Sequence, residues 1–199
     1  MAAHAAYQAR SVTQLCQAVA AGEHPKFLFF WGHRPEADGS LGKGCLSQWW
    51  PVAFTAHGER FGSAEHYMMW RKAQLFGDEL RARAVLSART PAEAKALGRL
   101  ITPFDESVWA AERFEIVVAA SRAKFGQHPA LGAFLAGTQR RVLVEASPRD
   151  RIWGIGLGAG NPAATDPSAW RGLNLLGFAL MQAREELADD PGAMRHTDS

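Results

Sequence analysis

Ser63-Ala-Glu-His-Tyr-Met-Met-Trp-Arg-Lys72 is an apolar, helix-compatible run in which the carboxylate of Glu65 and the amine of Lys72 stand seven residues apart. Seven helical residues turn through about 700°, within about 20° of two full turns, so both groups lie on one face. Because the run offers little polar surface, we expect at least one ionisable group to face protein. The alternative is a solvated pair on the outer face of an amphipathic helix.

Composition indicates a single globular domain. The chain has 199 residues, of which 47% are hydrophobic and 21% charged. The formal net charge is only +2, which does not indicate a long nucleic-acid track or a membrane-binding face. No apolar run approaches the roughly 20 residues that span a bilayer, so we expect no membrane contact.

Cysteine and histidine usage bears on compartment and on metals. Cys16 and Cys45 are the two cysteines, and the chain does not open with a basic segment followed by a long apolar one. We therefore expect a cytoplasmic protein with free thiols. The seven histidines show neither a His-Glu-x-x-His motif nor Cys/His ligand spacing, so we predict no metal and no cofactor.

Periodicity and turn signals predict a mainly α fold of the α+β class, a single multihelical domain with a few short β-strands. Helices are predicted at about 11–21, 64–76, 78–87, 90–100, 105–125, 129–137 and 172–187, and extended segments at 27–31, 52–61 and 142–144. The first extended segment reads as a buried strand, and the second turns at His57-Gly58. The predicted domain boundaries are a helical extension over 1–26, the domain over 27–188 and a disordered tail over 189–199.

Glycine-rich segments mark loops with functional potential. Residues 32–44 contain four glycines and one proline, which is typical of a long structured loop. Glycines alternate from Gly154 to Gly160, a spacing that differs from the dinucleotide-binding fingerprint. A backbone that passes close to a ligand, or a flexible flap, fits this pattern better.

Tryptophans beside these loops are candidate stacking surfaces. Trp31 and Trp153 each precede a glycine, and Trp49 begins a Trp-Trp-Pro sequence. Planar bases stack on such rings with roughly 1–3 kcal/mol each. The alternative for any one of them is a core side chain.

Seven motifs in order resemble the NADAR (YbiA-like) family. They are Phe27-Leu-Phe-Phe-Trp-Gly-His33, Leu46-Ser-Gln-Trp-Trp-Pro51, Ala64-Glu-His-Tyr67 with Lys72, Ala94-Lys-Ala-Leu-Gly98, Lys124-Phe-Gly-Gln127, Asp150-Arg-Ile-Trp-Gly154 and Gly172-Leu-Asn-Leu-Leu-Gly177. The resemblance covers about residues 27–187. It implies a mainly helical single-domain YbiA-like fold and an N-glycosidase acting on ribosyl or ADP-ribosyl groups.

The resemblance also implies two activities and a set of site residues. One activity cleaves amino-pyrimidine ribose phosphates made early in riboflavin synthesis, and the other removes ADP-ribose from the amino group of guanine. The residues that fall on the family's active-site positions are Glu65, Trp109 and Asp150. Those at neighbouring motif positions are Lys72, Trp153 and Asn174.

With the stacking and loop candidates added, the predicted site has two parts. The predicted catalytic residues are Glu65, Lys72 and Asp150. The predicted substrate-binding residues are Trp31, Gly32, Arg34, Trp49, Trp109, Trp153, Gly154 and Asn174. For Asn174, capping of the last helix is the alternative to hydrogen bonding a base edge.

The chemistry itself calls for such groups. Breaking a ribose C1–N bond builds positive charge on the sugar and negative charge on the nitrogen, so a carboxylate and a proton donor are both useful. Glu65 is expected to move the proton or activate water, and Asp150 to hold the ribose hydroxyls or stabilise the cationic sugar. Alternatively, Lys72 attacks C1 as a free amine and forms a Schiff base, or stays protonated and contacts phosphate.

A non-catalytic ADP-ribose or nucleotide-binding module is the rival class. Carboxylates facing a pocket for anionic phosphates would be unfavourable in a pure binder, which favours catalysis. The expected partner is a small-molecule nucleotide or an ADP-ribosylated nucleic acid, and the modest net charge slightly favours the free nucleotide.

Three features depart from the family pattern. Ser47-Gln48-Trp49 stands where many members have Ser-Asn-Phe, and Phe61-Gly62 where they have Tyr or Trp followed by Pro. The segment 154–170 is longer than in compact members, long enough to form a lid.

Overall fold

The structure is a computed structural model that describes residues 5–190. The helices of this part are α1 Ala5–Gln8, α2 Val12–Ala20, α3 Ala64–Leu75, α4 Glu79–Leu86, α5 Pro91–Gly98, α6 Glu106–Gln127, α7 Pro129–Gly137 and α8 Leu175–Asp189. The strands are β1 Phe27–Phe30, β2 Phe54–Ala56, β3 Glu59–Phe61 and β4 Val142–Glu145. Short 3-10 helices lie at Lys43–Leu46, Pro162–Thr165 and Pro167–Ala169. The mainly helical α+β prediction is confirmed.

The strands form two small sheets. β1 pairs with β4 in parallel, with Phe27 opposite Val142 and Phe30 opposite Glu145. β2 and β3 form an antiparallel hairpin. His57 and Gly58 turn this hairpin with φ angles of 52° and 77°, as a type I′ turn requires, which confirms the turn predicted there.

Helix α3 lies in the centre of the molecule. Residues 64–70 of α3 are all buried, and α4, α5 and α6 pack against the helix. Ser63 caps α3 by accepting a hydrogen bond from the His66 N–H. The expectation that an ionisable group on this helix faces protein is confirmed, since Glu65 is 2% exposed.

Hydroxyl side chains also cap two other helices. Ser11 caps α2, and Thr90 caps α5 with Pro91 at its first position. The carboxylate of Glu93 accepts from the N–H of Arg89, one residue before the cap, and so ties the start of α5 to the preceding chain. Long α6 lies between α3 and α8, and α8 packs behind β4.

Three details differ from the sequence-based expectations. Strand β1 ends at Phe30 and is only half-buried, because the described sheet gives it one neighbouring strand; Trp31 is 66% exposed. Helix α8 begins at Leu175 and not near Gly172, because the N–H groups of residues 173 and 174 donate to carbonyls in the loop 151–154. The segment 154–170 buries Ile155 and Leu157 and packs its last 3-10 helix against α2, so both ends of the predicted lid belong to the core.

The predicted tail, residues 189–199, begins almost where the described residues end. Asp189 is still helical, and residues 191–199 lie outside the described residues. The boundary proposed at residue 26 stays a prediction. Over residues 5–190, none of the helices has the length and apolar character needed to cross a bilayer.

Candidate active site

A cavity of about 330 Å³, here called the main cavity, opens where β1 and β4 end. Ligands of sheets with parallel strands bind outside the carboxyl ends of the strands, and Trp31 and Glu145 stand there. Its lining residues come from seven segments of the chain and are Trp31, Gly32, His33, Ser47, Gln48, Trp49, Glu65, Lys95, Glu145, Asp150, Trp153 and Leu176.

Two further cavities adjoin the main one. The side cavity, of about 140 Å³, shares Glu65, Lys95 and Trp153 with it and is also lined by Lys72 and Trp109. The structure therefore brings Glu65 and Lys72 to the wall of one cavity, as their spacing on α3 requires. The outer cavity, of about 500 Å³, shares Trp31 with the main cavity and includes Arg34, Glu36 and Lys43.

Glu65 is a buried carboxyl with an unsatisfied oxygen. It is the second residue of α3, and its N–H donates to the Gln48 carbonyl at 3.0 Å. Oε1 is enclosed and has no hydrogen-bond partner in the described chain. Burial raises the pKa of Glu65 to about 7, although the charge of Lys95 and a hydrogen bond with Trp49 oppose the shift. Glu65 can therefore give or take a proton near neutral pH.

Asp150 is a second carboxyl of the main cavity and is held in place by its own loop. Its Oδ1 accepts from the N–H groups of Ile152 and Trp153, both at 2.8 Å, which leaves Oδ2 for a ligand. The loop is fixed by residues 171–176, here called the strap. The N–H of Leu176 donates to the carbonyl of Trp153, and the N–H of Leu173 donates to that of Arg151. The strap thus sets the position of both Asp150 and Trp153.

Asn174 and Gly154 lie behind the wall of the main cavity, and neither lines any of the three cavities. Asn174 is fully buried at the N-cap position of α8, but its side chain makes no capping bond. Its Oδ1 accepts from the N–H of Glu145 and its Nδ2 donates to the Leu143 carbonyl, both at 2.9 Å. A Cβ on Gly154 would stand 2.8 Å from the Glu145 carbonyl oxygen. Both residues position β4 and the Asp150 loop.

Lys72 has the surroundings of a tunable amine. Its Nζ donates to the Gly98 carbonyl at 3.0 Å and stands 4.2 Å from the centroid of the Phe104 ring and 5.6 Å from that of Trp109. Burial lowers the pKa of Lys72, and the charge of Glu106 opposes this shift. A larger fraction of Lys72 is therefore free amine than for a solvated lysine.

Aromatic rings form much of the lining. The Trp49 ring lies 5.7 Å from the His33 ring, centroid to centroid, and 5.7 Å from the Lys95 Nζ. Trp109 is 8% exposed and, of these three cavities, lines the side cavity, so most of its ring packs in the core. Exposed Trp31 separates the main and outer cavities.

The predicted residues therefore divide among the cavities. Those in the main cavity are Trp31, Gly32, Trp49, Glu65, Asp150 and Trp153, while Lys72 and Trp109 lie in the side cavity and Arg34 in the outer one.

Sequence reasoning missed Glu145 and Lys95. Glu145 follows three apolar residues of β4, and a polar residue at the end of a buried strand is the signal that was present. Burial raises the pKa of Glu145 to about 8, with the charges of Asp150 and Glu65 adding to the effect. Lys95 lies on α5 and faces these carboxyls as the lysine common to the main and side cavities.

Lys124 supports the site from the core. It is 1% exposed, and its Nζ donates to the carbonyls of Cys45 at 2.5 Å and Ser47 at 2.8 Å. Burial lowers the pKa of Lys124 to about 7. Lys124 thereby fixes the segment that carries Gln48 and Trp49 into the main cavity. Residues 5–190 contain no cluster of three or more side chains suited to hold a metal ion.

Comparisons with known proteins agree with this architecture. The NADAR domain profile matches residues 29–188. N-glycosidase R617 of Acanthamoeba polyphaga mimivirus is 40% identical over 169 residues, 82% of this chain and 98% of that protein. N-glycosidase YbiA of Escherichia coli (strain K12) is 33% identical over 139 residues, 70% of this chain and 77% of that protein.

A solved structure extends the similarity to the fold. The NMR structure of E. coli YbiA superimposes with a TM-score of 0.67 at 26% identity, covering 89% of this chain and 94% of that one. The profile match covers the whole segment that carries the three cavities. The chain is therefore a member of the NADAR domain family.

Proposed function

We propose that this protein is an N-glycosidase that hydrolyses the C1–N bond between a ribose and the amino group of a base. The observation that carries the proposal is the buried Glu65 carboxyl, which faces an aromatic-walled cavity with one oxygen unpartnered. The related proteins named N-glycosidases support the same reaction class.

The residues of the main cavity suit each demand of this reaction. Trp49 and Trp153 provide flat surfaces for a base. The free oxygen of Asp150 can bind the ribose hydroxyls or stabilise the positive charge that develops on the sugar. Glu65, with a pKa near 7, can take a proton from the water that attacks C1.

Lys72 offers a second route to the same products. A ribosylamine opens to an imine, and the Lys72 amine then attacks C1, the base amine leaves and water hydrolyses the resulting Schiff base. Its position beside Glu65 in the side cavity supports this route. Borohydride added during turnover should reduce the Schiff base and add the mass of the sugar phosphate to the protein. Lys72→Met should abolish the adduct. If the parent forms no adduct either, the Schiff-base route is excluded and direct attack by water remains.

The proposed substrates are an amino-pyrimidine ribose phosphate of riboflavin synthesis and guanine carrying ADP-ribose on its amino group. Both carry phosphate, and Arg34 and Lys43 of the outer cavity supply cations on the far side of Trp31. Because the two cavities share Trp31, the phosphates of a substrate bound in the main cavity are proposed to extend past this ring toward Arg34 and Lys43.

A paired hydrolysis assay tests the function. Parent protein and Glu65→Gln are each given both substrates, with Glu112→Gln, a change at an exposed site on α6, as the control. Cleavage of one substrate by the parent and the control, with loss in Glu65→Gln, supports the proposal and names the substrate. Full activity of Glu65→Gln contradicts the assigned role. Binding without cleavage of either substrate would make the protein a nucleotide-binding module.

A further inference from the structure

Glu145 is a buried carboxyl of the main cavity with no role in the reaction steps assigned to Glu65, Asp150 and Lys72. It is the last residue of β4, and it lines the cavity together with Glu65 and Asp150. Its Oε2 is enclosed and has no hydrogen-bond partner within residues 5–190. A buried carboxyl oxygen without a partner is costly to stability, and use by a ligand or a reaction is one of the few explanations for keeping it.

The backbone of Glu145 is fixed on both sides. Its N–H donates to Asn174 Oδ1 at 2.9 Å, and its carbonyl accepts from the N–H of Ile155 at 3.0 Å. The Nδ2 of Asn174 also donates to the Leu143 carbonyl, which is a second hydrogen bond between Asn174 and β4. Because these bonds occupy the main chain, the carboxyl is the part of Glu145 left to act in the cavity.

The charges around Glu145 favour its protonated form. The ionisable groups that share the cavity with it are Glu65 from α3, Asp150 from the strapped loop, Lys95 from α5 and His33 from the loop after β1. Three carboxyls face one lysine here, and close carboxyls cannot all ionise at neutral pH. Lys95 and Arg99 both favour the ionised form of Glu65, whereas Lys95 alone does so for Glu145.

We propose that Glu145 is a catalytic residue that donates the proton to the departing nitrogen, while Glu65 takes the proton from the attacking water. This inference rests on the proposed N-glycosidase function. As the C1–N bond breaks, its electron pair stays on nitrogen, which receives the proton of the Glu145 carboxylic acid. The water oxygen bonds to C1 and gives its proton to the Glu65 carboxylate. A later proton transfer from Glu65 to Glu145, directly or through solvent, restores both groups.

The same assignment holds for attack by Lys72. Whichever group attacks C1, an amine leaves readily only as the neutral species, so the nitrogen needs a donor. The raised pKa values of both carboxyls are consistent with a pair in which one group is protonated and the other ionised near neutral pH.

Rates against pH, measured for the parent and two variants on the substrate that the parent cleaves, test the proposal. The rate of the parent should fall above pH 8, where Glu145 loses its proton. Glu145→Gln keeps the shape but has no acidic proton, so kcat should fall by about 10²–10⁴-fold and the remaining rate should lack the alkaline limb. Glu145→Asp keeps the acid and should recover part of the rate together with that limb.

Controls separate a proton donor from a structural residue. Glu112→Gln should match the parent, and Glu145→Gln should bind the ribose phosphate product within about threefold of the parent. The proposal is overturned if Glu145→Gln keeps kcat within threefold, or if both Glu145 variants lose product binding and rate equally. If Glu145→Gln does not fold, a flat parent profile between pH 7 and 9 overturns it. A parent that cleaves neither substrate overturns the N-glycosidase function as well, which separates the two failures.

Discussion

Glu65→Gln is expected to stabilise the protein while it abolishes the reaction. The carboxyl is 2% exposed, and burial raises its pKa from 4.5 to about 7. Between these two values the native state binds more protons than the unfolded state, so stability falls as pH rises and the loss is complete above pH 7. The rise in pKa corresponds to roughly 3 kcal/mol as an upper bound. Glutamine has nearly the same shape and no charge, so it avoids this loss.

Urea unfolding followed by tryptophan fluorescence at pH 5 and pH 8.5 measures the effect. At pH 8.5 the free energy of unfolding of Glu65→Gln should exceed that of the parent by about 1–3 kcal/mol, and at pH 5, only just above the unfolded pKa, the excess should be below about 1 kcal/mol. Loss of the Glu65 charge also lowers the cost of ionising Glu145, which acts in the same direction. Glu112→Gln should stay within about 0.5 kcal/mol of the parent at both pH values. A Glu65→Gln variant that is less stable at pH 8.5, or equally favoured at both pH values, would refute the reasoning.

Three further predictions concern the residues that support the site. Asn174→Ala leaves two buried backbone groups of β4 unpaired, so urea unfolding should show a loss of about 2–4 kcal/mol; a loss below 0.5 kcal/mol contradicts the role. Lys124→Met removes a buried amine whose pKa is lowered from 10.5 to about 7, so the parent gains stability as pH rises between these values. The free energy of unfolding of the variant should therefore fall further below that of the parent at pH 9 than at pH 6. The same difference at both pH values would contradict this account. Gly177→Ala puts a Cβ 2.1 Å from the Leu143 carbonyl oxygen and should lower Tm by several degrees, whereas Gly137→Ala, which meets no atom within 4 Å, should leave Tm unchanged or raised.

Local pattern was enough to predict helix α3 and its two ionisable groups. An apolar run with Ser63 before it specifies both a helix and its start, and the helical period places Glu65 and Lys72 on one face. The hairpin at His57-Gly58 was equally local, because a type I′ turn needs two residues with positive φ.

Other parts of the site depend on contacts between distant residues. The parallel pairing of Phe27–Phe30 with Val142–Glu145 joins segments more than a hundred residues apart, and no local signal records it. Glu145 gains its place in the main cavity through this pairing, which explains why sequence reasoning passed over it. Asn174 was expected to cap α8 or to meet the substrate, yet its left-handed backbone, with φ of 51°, directs both amide atoms to β4.

The strap also determines where the chain tolerates changes of length. The N–H of Arg171 donates to the Ile155 carbonyl, and that of Asn174 donates to the Gly154 carbonyl. Residues 156–170 therefore form a loop whose two ends are hydrogen-bonded to each other. Positions 159–161 are exposed at the far end of this loop. Doubling a loop of this kind adds only about 0.6 kcal/mol of closure entropy. An inserted peptide, a tag or a cleavage site at 159–161 should therefore leave Asp150 and Trp153 in place and change only the rim of the outer cavity, which Ala159 lines. The phosphate end of the site can thus diversify while the reaction geometry is inherited unchanged.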